Sequence, residues 1–108
     1  MPNEQAKLAD GPGRVHYVLA LRGRRSVTPR PDVVLYTRVG CHLCDVAKGI
    51  LERAGRRIVF DLTVVDVDTD DELRARFGDE VPVVFVNGRK AFKHRLDPAL
   101  LERKLTEI

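Results

Sequence analysis

Residues 34–55 read VLYTRVGCHLCDVAKGILERAG and contain both cysteines of the chain. The β-branched run that ends at Tyr36 predicts a buried strand. After a short turn, apolar residues recur every three or four positions, which predicts the buried face of a helix: Leu43, Val46, Ala47, Ile50, Leu51 and Ala54. Cys41 and Cys44 therefore lie where this helix begins. Such a pair holds a metal, ties a structure together or exchanges electrons.

Capping and turn residues predict the elements that follow. Gly55 predicts a left-handed cap at the end of the first helix, and residues 58–68 (IVFDLTVVDVD) predict a second strand. Thr69 and Glu72 are spaced as a capping box, which predicts a short second helix that ends at Gly78.

A hairpin and a third helix complete the pattern. Residues 83–93 (VVFVNGRKAFK) predict the hairpin, because the Asn-Gly pair at its centre supplies the positive φ angles of a two-residue turn. Asp97 as a cap and Pro98 in the first helical position predict the last helix. The order is βαβαββα. Crossover helices make strands parallel and hairpins make them antiparallel, so we expect an α/β fold with a four-stranded mixed sheet flanked by helices.

Composition and charge divide the chain into two parts. The 108 residues are 44% apolar and 32% charged, which is typical of one globular domain. Residues 1–31 contain six basic and two acidic side chains, a net charge of +4 against +3 for the whole chain, so residues 32–108 carry −1. We predict that residues 1–31 form a basic extension containing proline and glycine, which is flexible or adds one strand at 15–21. Residues 32–108 form the domain.

Several classes of partner are not expected. No apolar run reaches the roughly 20 residues that cross a bilayer, and the apolar stretch at 15–21 lacks the cleavage site of a signal peptide. The basic run at 22–25 has no interleaved aromatic side chains, so we do not expect nucleic acid as a partner. We expect a cytoplasmic protein. In the cytosol a close cysteine pair is more often metal-binding or redox-active than structural.

The start of the first helix influences the chemistry of the two thiols. Free backbone N–H groups and the positive end of the helix dipole favour a thiolate at Cys41, so its pKa is expected below that of free cysteine. Arg38 and His42 would add positive potential. Cys44 falls on or near the apolar stripe and is expected to be more buried and less ionised. We therefore predict that Cys41 attacks and Cys44 resolves.

Metal binding is the alternative. A zinc site needs four ligands, and the chain offers two cysteines and three histidines, His16, His42 and His94, without a second paired spacing. We predict no metal site within one chain. A metal or iron–sulfur cluster that bridges two copies stays open.

Three segments, 36–44 (YTRVGCHLC), 64–73 (VVDVDTDDEL) and 80–88 (EVPVVFVNG), together with the last helix, resemble the glutaredoxin branch of the thioredoxin superfamily. The resemblance runs from about residue 33 to residue 105. It implies a thioredoxin-like fold and a thiol–disulfide oxidoreductase that takes part in electron transport without a bound cofactor.

The resemblance also implies roles for single residues. Pro82 matches a family proline that follows a cis peptide bond and lies against the redox pair, and the backbone of the preceding residue, Val81, would pair with the substrate. Arg38 matches a basic residue that meets a glutathione carboxylate. His42 and Leu43 follow the first cysteine, where glutaredoxins commonly begin with a proline, and we include both among the predicted substrate contacts.

One family feature is absent. Glutaredoxins have a Gly-Gly pair after the hairpin that admits the glutathione backbone, whereas residues 89–97 here read RKAFKHRLD. We expect the charged residues 93–95 to form a solvated loop. We predict an enzyme that acts on a protein disulfide or a glutathione mixed disulfide, with glutathione as a candidate co-substrate. The alternative is a thioredoxin-fold binding module whose cysteine pair binds a metal or cluster or is vestigial.

Overall fold

The computed structural model describes residues 5–9, 14–19 and 30–106. Within these residues the chain forms nine elements: β1 Gln5–Ala9, β2 Arg14–Leu19, β3 Asp32–Thr37, α1 His42–Ala54, β4 Phe60–Asp66, α2 Asp71–Phe77, β5 Val83–Val86, β6 Arg89–Lys93 and α3 Pro98–Thr106. A 3₁₀ turn, Val67–Thr69, separates β4 from α2. None of the helices in this part of the chain is long and apolar enough to cross a membrane.

The strands form one mixed sheet in the order β1-β2-β4-β3-β5-β6. β3 and β4 are parallel, because α1 carries the chain back across the sheet between them. β5 runs antiparallel to β3, and β6 runs antiparallel to β5. From residue 32 onwards the architecture is the predicted βαβαββα order with a four-stranded mixed sheet. This arrangement agrees with the fold that the resemblance implied.

Two strands extend this sheet on the N-terminal side. β2 pairs antiparallel with β4 along its whole length, and β1 pairs antiparallel with β2. The sequence left open whether residues 15–21 add a strand, and the structure places 14–19 in the sheet. The Pro- and Gly-containing segment at 11–13 and the first half of that at 28–31 fall outside the described residues. The domain boundary at residue 32 stays a prediction.

The strands alternate their side chains between two apolar layers. On one face Leu35 of β3, Leu51 of α1 and Leu101 of α3 belong to the main core and have no exposed surface. On the other face Tyr36 stacks on Phe77 of α2, with ring centroids 4.6 Å apart. Full burial of one such leucine stabilises the fold by about 1.5–3 kcal/mol. The sheet therefore lies between α1 and α3 on one side and α2 on the other.

Two of the predicted element ends are confirmed. Asp97 Oδ1 accepts hydrogen bonds from the backbone N–H groups of Ala99, at 3.0 Å, and Leu100, at 3.1 Å, so it caps α3. Asn87 has φ 52° and Gly88 has φ 82°, which are the left-handed conformations that a two-residue hairpin turn requires.

Two predicted caps are wrong. Gly55 has φ −62°, so α1 ends in a right-handed conformation and the left-handed cap does not form. Asp70 rather than Thr69 caps α2, because its Oδ1 accepts a hydrogen bond from the backbone N–H of Glu72 at 2.8 Å. A carboxylate is a stronger acceptor than a hydroxyl. Thr69 lies in the 3₁₀ turn before the helix.

The second predicted strand, residues 58–68, is shortened at both ends. β4 spans Phe60–Asp66. At its end the Asp66 carboxylate accepts a hydrogen bond from the backbone N–H of Asp68 at 2.9 Å. This side-chain bond starts the 3₁₀ turn and so competes with continued strand pairing.

Candidate active site

Cys41 lies at the N-terminus of α1, directly after the turn that follows β3. Gly40 has φ +79°, and this left-handed residue lets the chain reverse so that the Cys41 N–H donates to the Arg38 carbonyl at 3.3 Å. Cys41 is then extended, with φ −93° and ψ 110°. Its Sγ accepts a hydrogen bond from the backbone N–H of Cys44 at 3.1 Å. Cys41 therefore caps α1 with its sulfur atom.

The sulfur atoms of Cys41 and Cys44 are joined in a disulfide. Their Cα atoms are 5.2 Å apart, within the range of about 4.4–6.8 Å that disulfides span. Cys44 is 2% exposed, whereas Cys41 is half-buried. Cys44 is buried because it shares the inward face of α1 with Ala47 and Leu51. A molecule from solution thus meets the sulfur of Cys41 first.

The segment before β5 lies at the same end of the sheet as the disulfide, where β3 ends and β5 begins. β3 and β5 are antiparallel and Tyr36 lies opposite Val83, so the residues before Val83 lie beside the turn that leads to Cys41. The peptide bond between Val81 and Pro82 is cis, as the resemblance implied. Pro82 is buried, and Val81 is half-buried and lies outside the strand pairing.

At this end of the sheet Arg38 connects three segments: the turn before Cys41, the 3₁₀ turn and the end of α2. Its Nε and Nη2 donate to the two carboxylate oxygens of Asp68, each at 2.9 Å, and its Nη1 donates to the carbonyl of Gly78 at 3.2 Å. The hydrogen bond and the charge of Asp68 raise the pKa of Arg38, and the hydrogen bond from Arg38 lowers the pKa of Asp68. The turn before Cys41 is thus tied to the 3₁₀ turn and to the end of α2.

The comparison with known families agrees with this geometry. A family model described as the glutaredoxin-like domain (DUF836) matches residues 32–106. The chain belongs to this glutaredoxin-like family. The match runs from β3 to α3 and includes both cysteines and the Val81–Pro82 bond. The resemblance inferred from the sequence is confirmed.

Individual relatives extend the comparison. An uncharacterized protein of Mycobacterium tuberculosis is 39% identical over 66 residues, which are 56% of this chain and 68% of that protein. A glutaredoxin-like protein of Dictyostelium discoideum is 31% identical over 83 residues, 71% of this chain and 77% of that protein. The X-ray structure of a structural genomics target from X. campestris matches with a TM-score of 0.53 and 32% identity, covering 66% of this chain and 91% of that one. A glutaredoxin-like fold with a cysteine pair close enough for a disulfide supports a redox role.

Two apolar residues lie close to Cys41 along the chain and are not fully buried. His42 is exposed in the first turn of α1, and Leu43 is half-buried. Val39, which the sequence analysis did not single out, is 84% exposed in the turn before Cys41. The sequence feature that could have identified Val39 is its position in a short turn, outside the apolar face of α1. Exposed valine and half-buried leucine thus flank Cys41 along the chain.

A cleft of about 430 Å³ borders the buried cysteine. Its walls include Cys44 and Lys48 from α1, Val39 from the turn and Asp66 from the end of β4. The cleft is large enough to hold several water molecules. Cys44 is therefore shielded from large molecules but lies at a wall that water can reach.

The loop after β6 is the region where the resemblance implies a Gly-Gly pair, which this chain lacks. His94 has φ +67°, and its backbone N–H lies 2.8 Å from the carbonyl oxygen of Pro82 and 3.2 Å from that of Glu80. The side chains of Lys93, His94 and Arg95 are exposed, in keeping with the solvated loop that the sequence predicted. The backbone of this loop is thus bonded to the segment that carries the cis proline.

Metal ligands are not grouped in the part of the chain that the structure describes. No set of three or more Cys, His, Asp or Glu side chains there could hold a metal ion. His42 lies on α1 and His94 after β6, and the side chain of His16 falls outside the described residues.

Proposed function

We propose that this glutaredoxin-like protein is a thiol–disulfide oxidoreductase that reduces disulfides of other molecules through the Cys41–Cys44 couple. The proposal depends on one observation. Two bonded sulfur atoms lie at a helix N-terminus, with Cys41 half-buried and Cys44 buried. A helix N-terminus favours the thiolate, which is the nucleophile in thiol–disulfide exchange.

The reaction begins from the reduced pair. The Cys41 thiolate attacks one sulfur of a substrate disulfide, an S–S bond forms between them, and the substrate bond breaks. The other half of the substrate leaves as a thiolate and takes up a proton from water. The backbone N–H of Cys44, which bonds Sγ of Cys41 at 3.1 Å, stabilises the attacking charge before the step.

Cys44 completes the reaction. Its thiol loses a proton to water in the cleft, and its thiolate attacks Sγ of Cys41 and releases the remaining substrate half as a second thiolate. The substrate has then gained two electrons and the pair is oxidised. Two electrons from a cellular thiol or dithiol return the pair to its starting state.

We assign substrate contact to the residues around Cys41. Val81 precedes β5 and lies outside the strand pairing, so its backbone N–H and C=O groups would bond an extended substrate segment. Pro82 fixes the start of β5 beside it. Val39, His42 and Leu43 would contact the side chains next to the substrate disulfide.

Cysteine variants test the proposal. The reduced wild type should reduce insulin or hydroxyethyl disulfide in the presence of a thiol, and Cys41→Ser should lose all turnover. Cys44→Ser should attack once and accumulate a mixed disulfide on Cys41, visible by mass spectrometry after an acid quench. Full activity in Cys41→Ser would contradict the assignment of roles.

A redox titration separates this enzyme from a binding module. In glutathione redox buffers the Cys41–Cys44 couple should gain and lose two electrons reversibly, and the purified protein should contain no stoichiometric metal. A protein without a reversible couple, or with metal that must be chelated before Cys41 is alkylated, would favour the binding module.

A further inference from the structure

We propose that Asp68 is a specificity-determining residue that makes the site discriminate against anionic small disulfides, such as glutathione disulfide, and leaves protein disulfides as its substrate class. The inference rests on the proposed oxidoreductase function. It concerns which molecule reaches Cys41, and it differs from the carboxylate-binding role that the resemblance implies for Arg38.

Arg38 would form an anion site if it were unoccupied. A guanidinium presents planar N–H donors that match a carboxylate in a two-bond geometry, and Arg38 stands three residues before Cys41. A small disulfide that carries carboxylates could use such a group to orient itself on the sulfur of Cys41.

Asp68 fills that geometry from within the protein. Both of its carboxylate oxygens accept hydrogen bonds from Arg38 at 2.9 Å, and the carbonyl of Gly78 accepts a third at 3.2 Å. The carboxylates of Asp79 and Asp66 also act electrostatically on Arg38. The Nε and Nη2 donors of Arg38 are therefore already used, and its positive charge is compensated. A substrate carboxylate could not form the same paired hydrogen bonds without displacing Asp68.

The local structure holds Asp68 in this position. Its backbone N–H donates to the Asp66 carboxylate at 2.9 Å, which fixes the start of the 3₁₀ turn. Nη1 of Arg74 also lies 3.9 Å from Oδ1 of Asp68. Gly78 allows the third bond, because a Cβ atom there would lie 2.5 Å from the carbonyl oxygen of Arg74 and 3.4 Å from Nη2 of Arg38. Releasing Arg38 to a substrate would break the paired bonds to Asp68.

Other basic side chains lie at the same end of the sheet, so the test must separate the effect of Arg38 from theirs. Lys93, His94 and Arg95 are exposed in the loop that is bonded to Pro82 and could attract anions without Arg38. Selectivity that involves Arg38 must disappear when Arg38 is replaced. Selectivity from the loop must persist.

The experiment compares two probes in the Cys44→Ser background, where the mixed disulfide accumulates. Glutathione disulfide is anionic, and hydroxyethyl disulfide is neutral. The rate of adduct formation on Cys41 is followed by mass spectrometry, and the ratio of the two rate constants reports charge selectivity. Asp68→Asn should raise this ratio roughly threefold to tenfold at low salt, and added salt should reduce the gain. Adding Arg38→Gln to Asp68→Asn should cancel the gain.

A matched control removes the same charge nearby. Asp71 lies in the first turn of α2 and pairs with Arg74 rather than with Arg38. Asp71→Asn should leave the ratio within about twofold of the parent, because the exposed Asp71 carboxylate pairs with Arg74 and leaves the bonds between Arg38 and Asp68 in place. Arg38→Gln alone leaves the Asp68 carboxylate without its counter-charge, so it should lower the ratio, and added salt should reduce this loss.

The outcomes separate the inference from the function. An unchanged ratio in Asp68→Asn, an equal rise in Asp71→Asn, or a gain in Asp68→Asn that Arg38→Gln does not cancel would each overturn the inference while leaving the enzyme intact. If neither probe forms an adduct on Cys41 in the parent, the proposed function fails and the inference fails with it.

Discussion

The backbone N–H of Cys44 donates a hydrogen bond to Sγ of Cys41 over 3.1 Å, so the second cysteine of the pair supports the first through its main chain. The bond does not need the side chain of Cys44. A Cys44→Ser variant keeps this donor and leaves Cys41 as the single thiol of the chain.

This relationship predicts an activated thiol at Cys41. In Cys44→Ser, the alkylation rate with iodoacetamide should reach half its maximum below pH 8.5, the pKa of free cysteine, because the helix N-terminus favours the thiolate. The same protein unfolded in urea provides the control and should show a midpoint near the free value. A folded midpoint at or above the unfolded one would contradict the prediction.

The ion pair between Arg38 and Asp68 predicts a dependence of stability on pH. The Arg38 hydrogen bond lowers the pKa of Asp68 in the folded state, so the pair stabilises the fold above the ordinary aspartate pKa of about 4. That contribution is lost as the pH falls through the lowered folded-state value. The urea midpoint should drop less between pH 7 and pH 3 in Asp68→Asn than in the wild type. Equal drops would show that the pair does not contribute.

Glu80 predicts a second contribution with the same sign. The hydrogen bond from Lys90 lowers the pKa of Glu80 in the folded state, so this stabilisation is likewise present at neutral pH and lost in acid. Glu80→Gln should flatten the pH profile of the urea midpoint, and the double variant with Asp68→Asn should flatten it further. A double variant that still follows the wild-type profile would point to other carboxylates.

Two glycines, Gly40 in the turn before Cys41 and Gly49 inside α1, should respond in opposite ways to replacement by alanine. Gly40 has φ +79° with nothing within 4 Å of an added Cβ, so Gly40→Ala should lower the free energy of unfolding by about 1–2 kcal/mol through backbone strain alone. Gly49→Ala is the control. It lies inside α1, where an added Cβ makes only an ordinary 3.7 Å contact, and should raise stability by roughly 0.5–1 kcal/mol. Chemical denaturation measures both, and effects of the same sign would argue against this conformation of the turn.

Two adjacent leucines of α3 test the packing of the main core. Leu101 has no exposed surface, so Leu101→Ala should destabilise the protein by about 2–5 kcal/mol through lost contacts and a cavity. Leu100 is 39% exposed, and Leu100→Ala should cost well under half as much. If the two variants unfold at the same urea concentration, α3 is not oriented as described.

Local rules explain which parts of the fold could be predicted from sequence. The Asn87–Gly88 turn and the Asp97 cap depend on residues a few positions apart, and both are observed. Thr69 failed as a cap because the neighbouring Asp70 carries a stronger acceptor. The position of β2 was left open because its pairing with β4 joins residues that are far apart in sequence, and no local pattern fixes that register.

The same distinction applies to the site. The Cys41–Cys44 pair and the Val81–Pro82 bond were recognised because each is a short motif on one segment. Asp68 was missed because it lies 30 residues from Arg38, and a run of aspartates near the end of β4 gave no sign of which one would bind the guanidinium.

The placement of β2 has a consequence that is separate from redox chemistry. Five of the seven residues of β4 are apolar or β-branched, and β2 pairs with the backbone groups along its outer edge. A fragment that begins at residue 32 would present that edge unpaired, and an unpaired apolar edge is a template for another strand. We expect such a fragment to self-associate more readily than the chain that carries β2. β2 therefore covers an edge of the sheet that would otherwise be open to pairing with another chain.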